Sequence, residues 1–380
     1  MKSESYAING KNQYQIHNMT RDMLSASMNR LSKRCKFEDN NAIIDGLPIR
    51  RKRIVDLGSA DGSSSIETLQ YAIKTLNDDG GSASPIPIHL TFEEHPSSNK
   101  EKLQHTLDMH DDWFKANNIQ RYVLMKSFYQ HLFPKETIDF MMSYICLHWL
   151  DSTDVNKSIL EWKSMNSSSD DRSLSEWTQI NETTVPADAK EEWRTRLADK
   201  HLARFLSLRS LEMRPGAELL LVMVGHPHEF LTPVDGGAGP LTRAMKQCIK
   251  RGELREEVLR HTIIPYYLRT PEDIKSALEV AKTMEIDNER PGALLQLIEC
   301  KSISTITRGD EDDTILQGAF DLMWSIHSHS IEHAEPTSKE LQCIKAEMRS
   351  IFDELYNEKV GMPGSFVACT LRRRTREPQV

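Results

Sequence analysis

The sequence alternates between short β-rich runs and longer stretches in which apolar residues recur at helical spacing. Five β-rich runs precede residue 226, and two later runs can add strands at one edge of a sheet. The seven runs are 53–57, 86–92, 122–125, 137–144, 218–224, 295–306 and 366–372. Strands that alternate with helices form right-handed βαβ units around a parallel sheet. The sequence therefore predicts an α/β fold with a seven-stranded, mostly parallel sheet.

The chain has 380 residues, which is enough for one large α/β domain and an additional structural unit. Open α/β sheets bind ligands beyond the carboxyl ends of their strands, so we expect a helical cap over that edge. The predicted parts are an N-terminal segment and helix that close the site (1–45), a core (46–226) with a polar excursion (164–190), a cap (227–290 and 310–357) and late strands that complete the sheet (291–309 and 362–374).

The charge balance argues against two classes of partner. There are 48 Lys and Arg against 56 Asp and Glu, which leaves a formal net charge of −8. A chain with this balance lacks the positive field that gathers nucleic acid or an anionic membrane surface. No apolar run reaches the roughly 18 residues of a membrane span, and the N-terminus lacks the apolar core of a secretory signal. We therefore expect a cytoplasmic protein that binds neither nucleic acid nor a membrane.

The cysteines and histidines do not form a metal-binding pattern. The six cysteines are far apart and include no CxxC pair, so we expect them to be reduced and mostly packed in the interior. His327, His329 and His333 fall in a predicted helix without a second cluster of ligands, and we expect them to be solvated. The sequence predicts no metal site.

A glycine loop follows the first predicted strand. The segment 56–62 (DLGSADG) carries Gly58 and Gly62 four residues apart and leads into a helix. Glycines let the backbone turn sharply and approach a ligand, and a helix start offers unpaired N–H groups, although a plain tight turn is the alternative. The loop is not GxGxxG, which counts against a pyrophosphate-binding dehydrogenase.

An acidic pair, Glu93 and Glu94, ends the second predicted strand. A carboxylate there can accept hydrogen bonds from vicinal ribose hydroxyls, whereas the alternative is a solvated pair at a strand end. A glycine loop and an acid without a phosphate clamp favour a nucleoside ligand that lacks phosphates. S-adenosylmethionine is the common ligand of this kind.

Six segments, spread in order over most of the chain, resemble the SABATH methyltransferases. They are SYAIN at 5–9 with Gln13, DLGSADG at 56–62, SFYQHLFP at 127–134, LHWL at 147–150, the segment 205–225, and IPYY at 264–267. Members of this family transfer the methyl group of S-adenosylmethionine to carboxylates of small molecules such as salicylate, benzoate and jasmonate, or to xanthine nitrogens. The resemblance implies a class I Rossmann-like methyltransferase fold with an α-helical cap, and commonly a homodimer.

The matching positions imply a binding site for S-adenosylmethionine. Those that match its methionine-binding residues are Tyr6, Asn9, Asp56 and Gly58; Glu94 matches the ribose-binding acid, His95 a residue near the adenine, and Ser127 and Phe128 residues that contact the adenosine.

The same resemblance implies a site for a small carboxylic acid. Gln13 and Trp149 match the pair that holds the substrate carboxylate, His148 lies beside it, and Tyr267 falls where an aromatic wall is expected. A carboxylate with a pKa of about 4 is already ionised at pH 7, so in-line methyl transfer needs no general base. The enzyme must align one oxygen and remove its water. Neutral donors suit this task because an Arg fork would withdraw charge from the nucleophile, so Gln13, Trp149 and His148 are the predicted catalytic residues.

Several positions depart from the family pattern. Gly10 replaces a serine, Glu94 replaces an aspartate, and Ile145 and Cys146 replace a Tyr-Ser pair. Residues 236–239 (GGAG) fall approximately where salicylate-type members place a bulky aromatic residue, which predicts a wider pocket. An aromatic or dicarboxylic acid larger than salicylate is the expected substrate. N-methylation of a heterocycle and a cofactor-binding module without turnover are open alternatives, and a NAD-dependent oxidoreductase is a more distant one.

Overall fold

The computed structural model describes residues 10–44, 50–78, 85–151, 155, 191–225, 240–262, 264–307, 314–356 and 362–375. The strands are Lys52–Leu57 (β1), Ile88–Glu94 (β2), Ile119–Met125 (β3), Ile138–Tyr144 (β4), Met213–Val224 (β5), Leu295–Thr307 (β6) and Met362–Arg373 (β7). The α-helices are Gly10–Met19 (α1), Arg21–Ile44 (α2), Ser63–Asp78 (α3), Lys100–Met109 (α4), Asp111–Ala116 (α5), Asp199–Glu212 (α6), Pro240–Lys250 (α7), Glu256–His261 (α8), Pro271–Thr283 (α9), Thr314–Glu332 (α10) and Ser338–Leu355 (α11).

The strands form one sheet in the order β3-β2-β1-β4-β5-β7-β6. The pairs among β1 to β5 are parallel, whereas β7 is antiparallel to both β5 and β6. The prediction of a seven-stranded, mostly parallel sheet is therefore confirmed. The strand order reverses between β1 and β4, and open α/β sheets bind ligands beyond the carboxyl ends of the strands at such a switch point.

Helices cover both faces of the sheet, and its central strands are almost continuously apolar. Leu219, Leu220, Leu221, Val222 and Met223 of β5 are all fully buried. Helices α1 to α3 contribute to an apolar cluster on one face, and helices α6 and α9 contribute to a cluster on the other. Parallel sheets that are covered on both faces have such continuous hydrophobic strands.

Helix α3 illustrates how the apolar spacing sets the local structure. Ile66, Leu69, Ile73 and Leu76 recur every three or four residues and are buried against the sheet. The helix expected directly after the glycine loop is thereby confirmed. Among the described helices, none combines the length and the apolarity that crossing a membrane requires.

Helices α7, α8, α10 and α11 pack on one another and form two further apolar clusters apart from those on the sheet. Helix α11 begins with a capping box. The Thr337 hydroxyl accepts from the Glu340 N–H at 3.2 Å, and the Glu340 carboxylate accepts from the Thr337 N–H at 2.8 Å. These helices occupy the residues predicted to form a cap. The domain boundaries stay predictions, and the segments 164–190 and 236–239 lie outside the described residues.

One prediction about the histidines is wrong. His329 and His333 are exposed, as expected, but His327 on α10 is only 8% exposed. Its ring packs edge-on against Tyr266 with 6.3 Å between the centroids, and its Nδ1 lies 2.6 Å from the Met323 carbonyl oxygen. His327 is buried because this side of α10 faces another part of the protein instead of the solvent.

Candidate active site

The glycine loop lies at the carboxyl end of β1, beside the switch point of the sheet. Gly58 has a φ of 76°, and a Cβ at this position would lie 2.6 Å from the Cys146 sulfur. Gly62 has a φ of 79°, and a Cβ there would lie 2.9 Å from Leu103 Cδ1. The left-handed backbone and the close neighbours both favour glycine. The Gly58 N–H also donates to the main-chain oxygen of Glu93 at 3.0 Å, which ties the loop to the end of β2.

Two buried carboxyl groups lie beside the loop. Asp56 is 3% exposed and Glu93 is fully buried. Burial raises the pKa of Asp56 to about 6 and raises that of Glu93 well above its usual value. Among the described residues, Asp56 Oδ2 and Glu93 Oε1 have no hydrogen-bond partner, whereas Glu93 Oε2 accepts from the Gly58 N–H at 3.0 Å. Unpaired buried oxygens are costly, and a donor group of a ligand would satisfy them.

Glu94 and His95, predicted at the ribose and near the adenine, lie at the end of β2 and directly after it. Glu94 accepts hydrogen bonds from the Ala60 N–H, from the His95 N–H at 2.8 Å and from the Ser98 hydroxyl at 2.9 Å. A carboxylate has about four acceptor sites, so Glu94 keeps about one for a ribose hydroxyl. His95 is exposed, and its Nδ1 lies 2.7 Å from the Ser97 hydroxyl.

A buried ion pair holds the loop after β3. Arg209 and Glu212 on α6 are fully buried, and Arg209 Nη2 donates to Glu212 Oε1 at 3.0 Å. Arg209 also donates to the carbonyl oxygens of Phe128 and Gln130, at 2.9 and 2.7 Å. The pair therefore fixes the backbone next to Ser127 and at Phe128, the two residues predicted to contact the adenosine.

A short antiparallel pairing beyond the carboxyl end of β4 brings His148, Trp149 and Tyr267 together. Trp149 and Tyr266 form a β-bridge, and the Tyr267 N–H donates to the His148 carbonyl oxygen at 2.8 Å. The half-buried Trp149 ring lies 5.2 Å from the His148 ring and 6.1 Å from the Tyr266 ring, measured between centroids. The Tyr129 hydroxyl donates to the Trp149 carbonyl oxygen at 2.8 Å. Three of the predicted substrate-binding residues therefore lie in one cluster.

The cluster contains a neutral imidazole and a buried cation. Burial, with a smaller contribution from Arg269, lowers the pKa of His148 to about 3, so its ring is neutral at pH 7. Arg269 is fully buried, and its Nη2 donates to the Ala198 carbonyl oxygen at 2.9 Å. Its Nε and Nη1 have no hydrogen-bond partner in the described part of the chain. The guanidinium lies 5.4 Å from the centroid of the Tyr267 ring, which places a positive charge next to the predicted aromatic wall.

Helix α1 brings the backbone at Gln13 toward the same edge of the sheet. His17 lies about one turn further along this helix, and its ring packs edge-on against Tyr144, the last residue of β4, with 4.5 Å between centroids. The Thr20 hydroxyl lies 3.1 Å from the Tyr144 hydroxyl. The helix that carries position 13 thus packs at the end of the strand that leads to Trp149.

Strained backbone follows β4. Ile145 has a φ of 56°, which is rare for a β-branched residue, and its N–H donates to the Val222 carbonyl oxygen at 2.7 Å. The next residue, Cys146, has its sulfur 2.8 Å from the Ser143 hydroxyl and fills the space next to Gly58. Strain of about 1–3 kcal/mol persists where the surroundings impose it, and it is frequent at functional sites.

The structure distributes the predicted residues along one edge of the sheet. Asp56, Gly58, Glu94 and His95 lie at the ends of β1 and β2, Ser127 and Phe128 follow β3, His148 and Trp149 follow β4, and Tyr267 pairs with His148. Tyr6 and Asn9 lie outside the described residues, as does the side chain of Gln13. The functional roles of all these residues stay predictions.

Four residues near this edge are absent from the predicted site residues, although Glu93 belongs to the acidic pair noted in the sequence: Glu93, His17, Arg269 and His327. Two of them carry a signal that could have been used. His17 follows Gln13 by four residues, which places both positions on one helical face. Glu93 alternates with Glu94 along β2, so the two side chains point to opposite faces of the sheet. Arg269 and His327 carry no comparable local signal, because only tertiary packing brings them to this place.

Comparison with known proteins identifies the family. A family model described as SAM-dependent carboxyl methyltransferase matches residues 1–361. Gibberellic acid methyltransferase 2 of Arabidopsis thaliana is 29% identical over 253 residues, which cover 62% of this chain and 60% of the relative. Loganic acid O-methyltransferase of Catharanthus roseus is 24% identical over 261 residues, which cover 67% of this chain and 65% of the relative. The chain thus spans less than two thirds of the length of either relative.

A solved structure of loganic acid methyltransferase with SAH resembles the whole chain. The TM-score is 0.70 at 15% sequence identity, and the match covers 99% of this chain and 98% of the other. This likeness supports the Rossmann-like methyltransferase fold already evident in the strand order. Since the family model covers nearly the entire sequence, the chain belongs to the SABATH family of SAM-dependent carboxyl methyltransferases.

Proposed function

We propose that this protein forms the methyl ester of a small carboxylic acid and takes the methyl group from S-adenosylmethionine. The observation that carries the proposal is the meeting of two groups of residues at one edge of the sheet. The glycine loop lies at the end of β1 with Asp56, one of whose oxygens has no partner among the described residues. The cluster of His148 and Trp149 lies beyond β4, the neighbouring strand. Membership of the family supports the same reaction.

The residues at the end of β1 fit the cofactor. Asp56 Oδ2 is buried without a partner among the described residues, and the ammonium group of the methionine part would be one. We propose the residues matched by the resemblance for the rest of the site: Tyr6, Asn9 and Gly58 around the methionine part, Glu94 at the ribose, and His95, Ser127 and Phe128 around the adenosine. When bound, S-adenosylmethionine supplies an electrophilic methyl group.

The residues beyond β4 would orient the acid. A carboxylate is ionised at neutral pH, so the protein needs donors that align one oxygen and exclude water. We propose the indole N–H of Trp149 and the side-chain amide of Gln13 as these donors. Because His148 is neutral at pH 7, it can line this site without adding a charge that would hold the substrate too firmly before transfer. Tyr267 would form an aromatic wall.

Arg269 would attract the acid from a distance. Its guanidinium is fully buried, lies against the Tyr267 ring and contributes to the low pKa of His148. Charges interact more strongly in a protein interior than in water, so a buried cation favours an anion nearby. We therefore propose that Arg269 provides the attraction while neutral donors provide the alignment. This arrangement avoids direct charge withdrawal from the nucleophilic oxygen.

The substrate class follows from the predicted pocket and from the relatives. The sequence predicts a pocket wide enough for an aromatic or dicarboxylic acid larger than salicylate. Relatives named for gibberellic acid, loganic acid and indole-3-acetate support bulky carboxylic acids as candidates. Homodimerisation, a cytoplasmic location and the absence of a metal stay predictions.

Incubation with methyl-labelled S-adenosylmethionine and a panel of such acids tests the proposal. An ester releases its label in mild alkali, whereas an N-methyl product keeps it, which separates the reaction from methylation of a heterocycle. Cofactor binding without transfer to any acid or heterocycle would instead support a non-catalytic module.

The variant Trp149→Phe tests the role of the indole N–H. Losing a hydrogen bond to a charged group costs about 1.5–3 kcal/mol, so we expect transfer to fall by about 10–100-fold. Affinity for S-adenosylhomocysteine, measured by calorimetry, should stay within about twofold of the wild type. Trp113→Phe on α5 is the matched control and should change neither quantity. Equal losses of binding and transfer in Trp149→Phe would mean that Trp149 serves in packing alone.

A further inference from the structure

Two cysteine sulfurs lie in contact within the group of helices apart from the sheet. Cys248 is near the end of α7, Cys343 is in the second turn of α11, and their Sγ atoms are 2.8 Å apart. Cys248 is fully buried in an apolar cluster, whereas Cys343 is half-buried at its edge. One of the two sulfurs is therefore shielded by packing, and the other can be reached from the solvent.

A charged pair flanks the sulfurs. Gly252 has a φ of 71°, so the chain turns back after α7 and places Arg251 and Glu253 beside the two helices. Arg251 Nη2 lies 3.6 Å from the Cys248 sulfur and 3.9 Å from the Cys343 sulfur. The Cys343 thiol donates to Glu253 Oε2 at 3.3 Å. A guanidinium near a sulfur favours its thiolate, whereas burial and the contact with Cys343 raise the pKa of Cys248 to about 12. Cys343, which the solvent can reach, is therefore the thiol that reacts first.

The side chains of Cys248, Cys343 and Glu253 also have the spacing of a metal site, because the two sulfurs and a Glu253 oxygen lie within 4.8 Å of one another. The charges argue against this use. Glu253 Oε2 already accepts from Arg251 Nε at 2.7 Å, so a metal would have to displace the guanidinium from this oxygen. The guanidinium would also repel a cation that lies between the sulfurs. An uncharged disulfide between the two sulfurs, by contrast, would not be repelled by the guanidinium.

We propose that Cys248 and Cys343 are an oxidisable thiol pair that forms a reversible disulfide between α7 and α11. The sulfurs need to approach by less than 1 Å, since a disulfide bond is about 2.05 Å long. The oxidant is a low-molecular-weight disulfide. The Cys343 thiolate attacks one of its sulfurs and releases one small thiolate, and the Cys248 sulfur then loses its proton, attacks Cys343 and releases the second. The two protons of the protein thiols pass to the two small thiolates. Two protein thiols are oxidised, one small disulfide is reduced to two thiols, and no other reactant is needed.

The disulfide would join two helices whose cysteines are 95 residues apart in the chain. Closing a long loop restricts the unfolded chain, so oxidation should stabilise this helical group. The group also contains α10, whose His327 packs against Tyr266 beside the candidate active site. The proposal does not depend on the methyl-transfer reaction, because it rests only on the contacts of the two sulfurs.

Oxidised glutathione, applied to the 380-residue chain, is the probe. After incubation and denaturation, the wild type should lose two of its six titratable thiols, and a non-reducing peptide map should contain a fragment that links Cys248 to Cys343. The melting temperature should rise on oxidation and return with dithiothreitol. Cys343→Ser should abolish the crosslink and the shift, whereas Cys300→Ser, which removes a half-buried thiol of β6, should keep both.

Retention of all six thiols by the wild type in excess oxidised glutathione would overturn the proposal. The proposal would also be overturned if the protein bound one equivalent of zinc, added alone, and both sulfurs were then protected from alkylation. The site would in that case be a metal site. The peptide map uses the wild type, so the test does not depend on whether a variant folds.

Discussion

Replacing Gly58 with alanine tests how closely the glycine loop fits its surroundings. A residue other than glycine in a left-handed conformation costs about 1–2 kcal/mol. The added Cβ would lie 2.6 Å from the Cys146 sulfur and 2.8 Å from its Cβ, and overpacking of this kind costs about 1–3 kcal/mol. We therefore expect Gly58→Ala to lower the free energy of unfolding by about 2–5 kcal/mol.

Gly252 is a matched control because it has a similar backbone but free space. Its φ is 71°, and an added Cβ would meet no heavy atom within 4 Å. Gly252→Ala should therefore cost only the backbone contribution of about 1–2 kcal/mol. Denaturant unfolding measures both variants, and combining Gly58→Ala with Cys146→Gly removes the overlap so that the contact itself can be evaluated.

The same variants separate stability from ligand binding. Gly58→Ala should weaken the binding of S-adenosylhomocysteine by about 10-fold or more, because the loop must shift to admit the Cβ, whereas Gly252→Ala should leave the affinity unchanged. Calorimetric titration measures both affinities. Equal destabilisation by the two alanines, with no recovery in the double variant, would refute the reasoning, since the contact with Cys146 would then have no energetic consequence.

Three further variants address buried charges. Asp56 has a folded pKa of about 6, above its usual value. Between the usual and the folded pKa, the folded state binds more protons than the unfolded state, so stability falls as the pH rises. Asp56→Asn should therefore be about 1–3 kcal/mol more stable than the wild type at pH 7 but similar near pH 4, and should bind S-adenosylhomocysteine more weakly; a stability difference independent of pH would contradict this. The pH dependence of stability that His148 contributes has the opposite sign. Its folded pKa of about 3 lies below the unfolded value of about 6.5, so stability is lost as the pH falls below 6.5. In urea unfolding, His148→Gln should spare about 2 kcal/mol of that loss at pH 5, and an unaltered acid sensitivity would argue against a buried neutral ring. Arg209→Leu leaves Glu212 buried without its partner and should cost about 3–5 kcal/mol in denaturant unfolding, most of which should return when Glu212→Leu is added; no recovery would mean that Arg209 acts through its bonds to the Phe128 loop.

The fold and the glycine loop after the first strand were predictable because their signals are local. Apolar runs of strand length, helical spacing between them and a glycine loop after the first strand are all read within a few residues of one another. The four-residue spacing of the loop glycines, for example, corresponds to two left-handed turns that Gly58 and Gly62 adopt in the structure. The roles proposed for Trp149 and Gln13 came from the resemblance to a family, since neither residue is distinctive by itself.

The burial of polar groups was less predictable. His327 was expected to be solvated because it lies in a predicted helix without a second cluster of metal ligands, yet α10 carries it against Tyr266. Arg269 lies two residues after the IPYY segment and carries no distinctive signal itself, but its backbone pairs with Gly225 directly after β5, and its side chain is fully buried. The contact between Cys248 and Cys343 joins two helices far apart in the chain. In each case the partner comes from a distant segment, and no short window of sequence contains both members.

By itself, the sequence determined the alternation of strands and helices, the mostly parallel type of sheet and the family. Periodicity and local motifs are properties of contiguous residues. The tertiary structure decided which face of each element is buried, and with it the protonation of Asp56 and His148 and the surroundings of Arg269. The physical reason is that desolvation and Coulomb interactions depend on distance in space. A side chain's position in the chain leaves that distance unspecified until the helices have packed.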